Sequence, residues 1–427
     1  MRQELFHIRE KIAGIPVFGV GWLLGIIIIA ALVVMTIVII RLKKNPSEDT
    51  SLGKELLGHI PFWFFLAAIV VWVLPLIIKE GEGLPIRGYG VMLLIAVVLA
   101  TLLSIWRGLK IGMSVDQVIS LVFWMFVPGI IGARLFFVIE YWHDFQRETF
   151  GATLAEVMKF TEGGLVVYGS VLGGLLGIVI FTLRNRIRFL TIADMLTPSL
   201  MLGIAIGRIG CLLNGCCFGG PCDHAWAVTF PEKSLPYMSQ IERGQFLGVR
   251  FAADPKSPPI LQKVKPDTPA YKAGLRDGDE ITSIDNLPIQ NNGELHEALL
   301  MAHALDTGEA LTVQKKDGST ILLPVVPLPE RSLPVHPTQI YSSLNAFVLF
   351  LFLLALSPFM KYEGTLFATL MTLYPITRFL LEIIRTDESA IFGTGLSISQ
   401  NVSILLLLGT VGLWLYVLIR RRPVASL

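Results

Sequence analysis

Residues 207–223 read GRIGCLLNGCCFGGPCD, and they hold all four cysteines of the chain: Cys211, Cys216, Cys217 and Cys222. Taken alone, the stretch looks like a metal knot. Its left flank says otherwise. Residues 193–215, ADMLTPSLMLGIAIGRIGCLLNG, form a long apolar run with one arginine, Arg208, well inside it. The stretch is therefore the end of a membrane helix and the loop that follows. Zinc ligands usually come as separated C-x₂₋₄-C pairs. Here four residues separate Cys211 from Cys216, Cys217 is adjacent, and no histidine motif accompanies them. An adjacent pair is poorly placed to ligate one tetrahedral ion, so no metal and no cofactor are expected. Two readings stay open: a disulfide of Cys222 with Cys216 or Cys217, suited to an oxidising face, or small packed thiols.

Composition agrees with a membrane setting. Of 427 residues, 53% are hydrophobic and 16% are charged, against about 25% charged in soluble domains. The formal net charge of +2 gives no reason to expect a nucleic-acid partner. Nine apolar runs are long enough, or nearly so, to cross roughly 30 Å of hydrocarbon as helices. They fall near 18–41, 60–78, 86–106, 116–141, 164–183, 191–212, 337–357, 364–384 and 398–419, the second being the shortest. The first is too long for a signal-peptide core. Basic residues follow every second run: Arg41, Lys43 and Lys44; Arg107 and Lys110; Arg184, Arg186 and Arg188; Lys361; and Arg420 to Arg422. The positive-inside rule then puts the N-terminus outside and the C-terminus in the cytoplasm. The loop after the sixth run faces outward.

Between about 241 and 332 no spanning run survives. ILQKVKPDTPAYKAGLRDGDEITSIDNLPI (260–289) alternates as strands around a short helix. A helix is expected at 294–304, then two strands joined by KKDGS. This segment resembles a PDZ domain of the bacterial protease-associated kind, most specifically in PDTPAYKAGLRDGDEI (266–281). The family's carboxylate-binding loop would fall near FLGVRF, 246–251. Such domains capture peptide strands or C-termini by extending a sheet edge. A spacer with a closed groove is the plainer alternative.

An ionisable group inside a span costs on the order of 2.5–3.5 kcal/mol on insertion scales, so each needs a partner or a purpose. In the eighth run Tyr374, Arg378, Glu382 and Arg385 share one helical face. Arg378 and Glu382 could form a structural bridge. Arg208 has no carboxylate within one helical turn, so its partner comes from another helix or from a ligand. Gly203 with Gly207, and Gly169, Gly173 and Gly177, have the spacing that lets helices approach closely. Arg134 with Glu140 could be structural. Tyr89 and Tyr168 open the third and fifth spans, and His336 with Gln339 opens the seventh. Guanidinium groups bind phosphate through paired hydrogen bonds. Two of them among helices point to a phosphate-bearing lipid.

These phrases also resemble a known family. GRIGCLLNGCCFGGPCD, EGGLVVYGS, RGYGVM, GARL, HPTQIY and YPITRFLLEIIRTDE are similar, in order and position, to those of prolipoprotein diacylglyceryl transferases. The resemblance covers about 80–240 and 333–420. It implies a polytopic α-helical membrane protein with a seven-helix core in the bacterial inner membrane. The chain then divides into an extension with two further helices (1–80), a first core part (81–240), the PDZ-like extracytoplasmic insert (241–332) and a second core part (333–427). The implied activity moves the diacylglyceryl group of phosphatidylglycerol to the lipobox cysteine of a preprolipoprotein, releasing glycerol phosphate. The implied catalytic residues are Arg208 and Arg378; the base stays open among Tyr168, His336 and water. Tyr89, Arg134, Asn214, Gly215, Gly219, Tyr374, Glu382 and Arg385 would line the substrate site. Many members carry histidine where this chain has Tyr168, and an acidic residue where it has Cys216. A phenol of pKa near roughly 10 is a poor base unless a cation lowers it. Two rivals remain. A metalloprotease needs H-E-x-x-H, which is missing. A non-catalytic lipid-binding or transport protein would hold phosphatidylglycerol without releasing glycerol phosphate.

Overall fold

The computed structural model describes residues 4–44, 63–64, 67–73, 75, 83–147, 149–157, 164, 166–251, 256–304, 310–324, 328–385 and 395–423. Among them, seven helices are long and apolar enough to cross a membrane. With α1 as Trp22–Lys44, they are α2 (Gly88–Lys110), α3 (Val115–Glu140), α4 (Val167–Asn185), α5 (Phe189–Asn214), α9 (Thr338–Leu356), α10 (Thr365–Ile384) and α11 (Ile398–Arg420). They match seven of the nine expected runs. The first run forms α1, whose apolar part covers Trp22–Thr36. The second, 60–78, lies largely outside the described residues.

The chain divides into two compact units, one of residues 4–88 and 149–163, the other of 89–148 and 164–427. In the first, strand β1 (Glu4–Ile8) pairs antiparallel with β2 (Leu84–Arg87), the strand that leads into α2. A short hairpin, Lys11–Ile12 with Ile15–Pro16, precedes α1.

In the second unit α5 is the central helix. In its most apolar stretch 56% of residues are buried by protein, against 17–28% in the other six spans, whose outer faces are left for lipid. Ser114 with Gln117 opens α3 and Ser397 with Gln400 opens α11 by reciprocal capping. The N-terminus of α10 is capped from α5: Asp194 Oδ2 accepts from Gly364 N at 2.6 Å and Oδ1 from Phe367 N at 2.8 Å.

Each of three spans contains a proline, which frees the carbonyl four residues earlier. In hydrocarbon that group must find a partner within the protein. Pro198 frees Asp194 O, and Arg107 Nη2 donates to it at 3.1 Å. Pro375 frees Met371 O, and Thr410 Oγ1 donates to it at 3.0 Å. Pro128 frees Trp124 O, against which the backbone of Gly177 packs. Arg107 also donates to Met195 O at 2.9 Å and Ser357 Oγ at 3.1 Å. It reads in the sequence as a flanking charge at a span end, but it is buried and holds α2, α5 and the end of α9 together.

The glycine stripe of α4 packs on α3. A methyl on Gly169 would fall 2.3 Å from Gly132 O, and one on Gly177 would fall 1.7 Å from Trp124 O. The other expected pair behaves differently. Gly203 meets only Ala100 Cβ, at 3.8 Å, and nothing lies within 4 Å of a Cβ on Gly207. Among the described residues, then, Gly203 makes an ordinary contact with α2 and Gly207 makes no close helix contact.

Residues 241–332 form a small α/β unit. Strands β5 (Ile281–Ile284), β6 (Leu287–Pro288), β7 (Leu311–Lys315) and β8 (Thr320–Leu323) make an antiparallel sheet ordered β8-β7-β5-β6. Strands β3 (Val249–Arg250) and β4 (Lys263–Val264) form a separate pair. Helices α7 (Pro269–Ala273) and α8 (Asn292–Ala304) complete it, and Leu247, Phe251, Leu261, Leu295 and Val313 are among its buried core. The strands and both helices fall where the alternation places them. Helix α6 (Leu235–Glu242) leads in. The two ends of the insert meet in a stem: Val228 bridges Val335, Pro231 bridges Arg331, and Gln240 accepts from Leu333 N at 2.8 Å.

Candidate active site

The site is built around the loop after α5. Gly215 (φ +79°) ends the helix in the left-handed conformation, its amide and that of Cys216 both donating to Cys211 O. The loop is then held from two sides. Gly219 N donates to His336 O, His336 N to Gly220 O, and Gly220 N to Ile384 O at the end of α10. Thr338 Oγ1 donates to Cys217 O at 2.6 Å and Gln339 Nε2 to Cys216 O at 2.8 Å. Gly219 sits so close to the seventh span that a Cβ would fall 2.7 Å from His336 Cβ and 2.8 Å from Thr338 Cγ2. Segments from 116 (Gly220 to His336) to 164 residues apart (Gly220 to Ile384) are thereby brought together.

Arg208 projects beside this loop from α5. No carboxylate lies within ion-pair distance of it among the described residues. Its electrostatic neighbours are Cys217, Tyr374, Cys211 and Arg385. It lines a cleft of about 540 Å³ between α5 and α9, whose walls are otherwise mostly apolar (Leu202, Ile206, Ile209, Ile340, Phe347). Gln339 lines the same cleft, and its Oε1 is buried without a hydrogen-bond partner among the described residues. Tyr89, from the start of α2, packs its ring on Gly210 and lies within electrostatic range of Arg208 and the cysteines.

Arg378 is placed differently from Arg208. It pairs with Glu382 at 2.8 Å and donates to Ser399 Oγ of α11 at 2.9 Å. Arg385 pairs with the same Glu382 oxygen at 3.3 Å. The structural bridge that the i, i+4 spacing allows is thus formed, and it is a triad of two cations on one buried carboxylate. Arg385, the member next to Arg208, also pairs through its backbone with Gly219. With Arg208 included, the site carries an excess of positive charge.

The other expected residues divide. Tyr374, Glu382, Arg385, Asn214, Gly215, Gly219 and Tyr89 belong to this neighbourhood. His336 belongs through its backbone, while its ring lies 3.4 Å from Tyr341 Oη and near His224. Arg134 is committed elsewhere: it donates to Gly164 O at 3.2 Å and lies over the rings of Phe137 and Phe145, with no ion pair to Glu140. Tyr168 is exposed at the start of α4 and makes no hydrogen bond among the described residues. Thr338, Ser399 and Arg107 were missed by the sequence reading, since their roles depend on which carbonyls and charges arrive from other helices. All four cysteines are free thiols, so the disulfide reading does not hold. Cys217 is pulled below the ordinary thiol range, first by hydrogen bonds with Cys211 and Cys216, then by Arg208 and Arg385.

A guanidinium with no carboxylate partner among the described residues, lining a mostly apolar cleft, fits the phrases that resemble the diacylglyceryl transferases. Residues 75–416 match the family model described as prolipoprotein diacylglyceryl transferase. The chain belongs to that family. A phosphatidylglycerol–prolipoprotein diacylglyceryl transferase of Rhodopirellula baltica is 32% identical over 446 aligned residues, covering 95% of this chain and 87% of that protein. One from Clostridium perfringens is 27% identical over 341 residues, covering 80% of this chain and 94% of that protein. The match with the Rhodopirellula protein extends over lengths that include the insert and the N-terminal unit, which lie beyond the phrases typical of the family.

Proposed function

We propose that the chain transfers the diacylglyceryl group of phosphatidylglycerol to the lipobox cysteine thiol of preprolipoproteins and releases glycerol phosphate. The observation that carries this is Arg208, a guanidinium with no carboxylate partner among the described residues, facing an apolar cleft between two membrane helices. It can grip a phosphate by two parallel hydrogen bonds in a low dielectric, where such contacts are stronger than in water. The acyl chains lie along the cleft. Arg385, held in place by Glu382, adds positive charge where the leaving phosphate gains negative charge. Gln339 Oε1 offers an acceptor to a glycerol hydroxyl. The substrate thiol, of ordinary pKa about 8.5, must lose its proton as it attacks. Of the three candidates for the base, Tyr168 is exposed and has the weakest claim; His336 stands nearer the loop, and water is the third.

The reading extends to the rest of the chain. The protein sits in the inner membrane with its N-terminus outside and its C-terminus cytoplasmic, which the alternation of basic flanks supports. Residues 1–80 add two helices to a core made of 81–240 and 333–427. The insert, 241–332, is PDZ-like and recruits peptide strands outside the membrane. In its FLGVRF loop the amides of Leu247, Gly248 and Val249 already donate to Gly244 and Gln245. That favours strand addition over capture of a chain terminus there.

The test is reconstitution of the full chain with phosphatidylglycerol and a lipobox peptide. The expected products are the thioether-linked diacylglyceryl peptide and an equal amount of glycerol phosphate. Tight lipid binding without either product would refute the transferase reading in favour of a non-catalytic lipid carrier.

A further inference from the structure

Cys211, Cys216 and Cys217 have no role in the chemistry above. Their three sulfurs all lie within 4.8 Å of one another. Two backbone features bring them there. The left-handed end of α5 folds Cys216 back on Cys211, whose carbonyl accepts from Gly215 N at 2.9 Å and Cys216 N at 3.2 Å. Cys217 then takes φ +58°, a region that side chains other than glycine seldom enter. In an extended chain successive side chains point to opposite sides; this turn lets neighbouring cysteines share a point. The expectation that Cys216 and Cys217 cannot serve one centre fails for this reason. Their carbonyls are fixed by Gln339 and Thr338, so the loop is braced.

We propose that Cys211, Cys216 and Cys217 form a three-thiolate Zn²⁺ site whose fourth position takes the thiol of the incoming peptide. The proposal rests on the transferase reading for its second half only. Thiolates at Zn–S of about 2.3 Å stand roughly 3.8–4.0 Å apart, so the sulfurs need move by less than about 1 Å. Three thiolates on Zn²⁺ carry one net negative charge. Arg208, an electrostatic neighbour of Cys211 and Cys217, offsets it. Zinc sites with three protein ligands keep the fourth position for an exogenous group. The substrate S–H then loses its proton to water as the sulfur binds the ion. The sulfur lone pair forms the S–C bond to the glyceryl carbon, and the C–O bond breaks with its electron pair leaving on glycerol phosphate. No oxidant or reductant is needed.

The test uses the full chain purified in detergent. Elemental analysis should find about one zinc per chain. Cys217→Ser should lose it, and Cys222→Ser, whose sulfur is outside the trio, should keep it. In the cobalt-substituted wild-type protein, a lipobox peptide should raise the sulfur-to-cobalt charge-transfer absorption by about one third, as three thiolates become four, and the same peptide with serine should leave it unchanged. Copper in place of zinc, no stoichiometric metal, or a cobalt spectrum indifferent to the thiol peptide would overturn the proposal. If transfer persists in protein shown to be metal-free, the zinc proposal fails while the transferase reading stands.

Discussion

The two ends of helix α5 use arginine in opposite ways. Near its N-terminal end, Arg107 reaches in from α2 and spends its donors on Asp194 O, Met195 O and Ser357 Oγ. Near its C-terminal end, Arg208 has no carboxylate partner among the described residues and faces an apolar cleft. Both are cations inside a membrane bundle. The first is a structural cross-link that repairs a proline's missing hydrogen bond. The second is the one to which the proposed function gives a ligand. Arginine within a span is therefore not itself a sign of function; what its donors meet decides the matter. The Arg378–Glu382–Arg385 triad lies between these cases, since its charges are paired with each other while one member stands beside the site.

Mutations can separate these roles, and the largest effect belongs to the triad. Glu382→Ala leaves two guanidiniums without their carboxylate and should lower stability by about 3–5 kcal/mol, read from thermal unfolding in detergent. Adding Arg378→Ala should recover part of that loss, giving a clear coupling in a double-mutant cycle. Arg208→Ala should cut the transfer rate about 10²–10³-fold, equivalent to roughly 2.7–4 kcal/mol. Its unfolding midpoint should stay near wild type. Arg107→Ala should show the reverse pattern, a stability loss of about 1–3 kcal/mol for unsatisfied carbonyls, with activity falling only as folded protein is lost. If Arg107→Ala and Arg208→Ala have the same profile, the contrast between the two ends is wrong.

Smaller effects sharpen the picture of the loop. Gly219→Ala places a Cβ against His336 and Thr338 and should cost about 1–3 kcal/mol through overpacking. Tyr168→Phe should change the transfer rate by less than about twofold, because the hydroxyl is exposed and makes no hydrogen bond among the described residues. A general base removed at that position would instead cost about 10²–10⁴-fold.

Hydrophobic run length located the seven spanning helices, and alternation located the strands of the insert, because both depend on local periodicity. Arg208 stood out for a similar reason: no carboxylate lies within one turn. The fate of Arg134 was not legible, since Gly164 O and two aromatic rings reach it through tertiary packing. Gly203 meets α2 at Ala100 while Gly207 meets no helix closely among the described residues, because small-residue spacing permits close approach without supplying a partner. The closeness of the three cysteine sulfurs was not legible, because one left-handed residue, Cys217, reverses the direction of a side chain, and spacing alone carries no φ angle.

The central claim is that Arg208 holds the phosphate of the lipid. Its most direct test is equilibrium binding of phosphatidylglycerol and of diacylglycerol, which lacks the phosphate, to wild-type and Arg208→Ala protein in matched detergent. The wild type should prefer phosphatidylglycerol by at least about tenfold, the value of one charge-assisted hydrogen bond, and Arg208→Ala should lose that preference while still binding diacylglycerol. A variant that keeps the full preference would contradict the account.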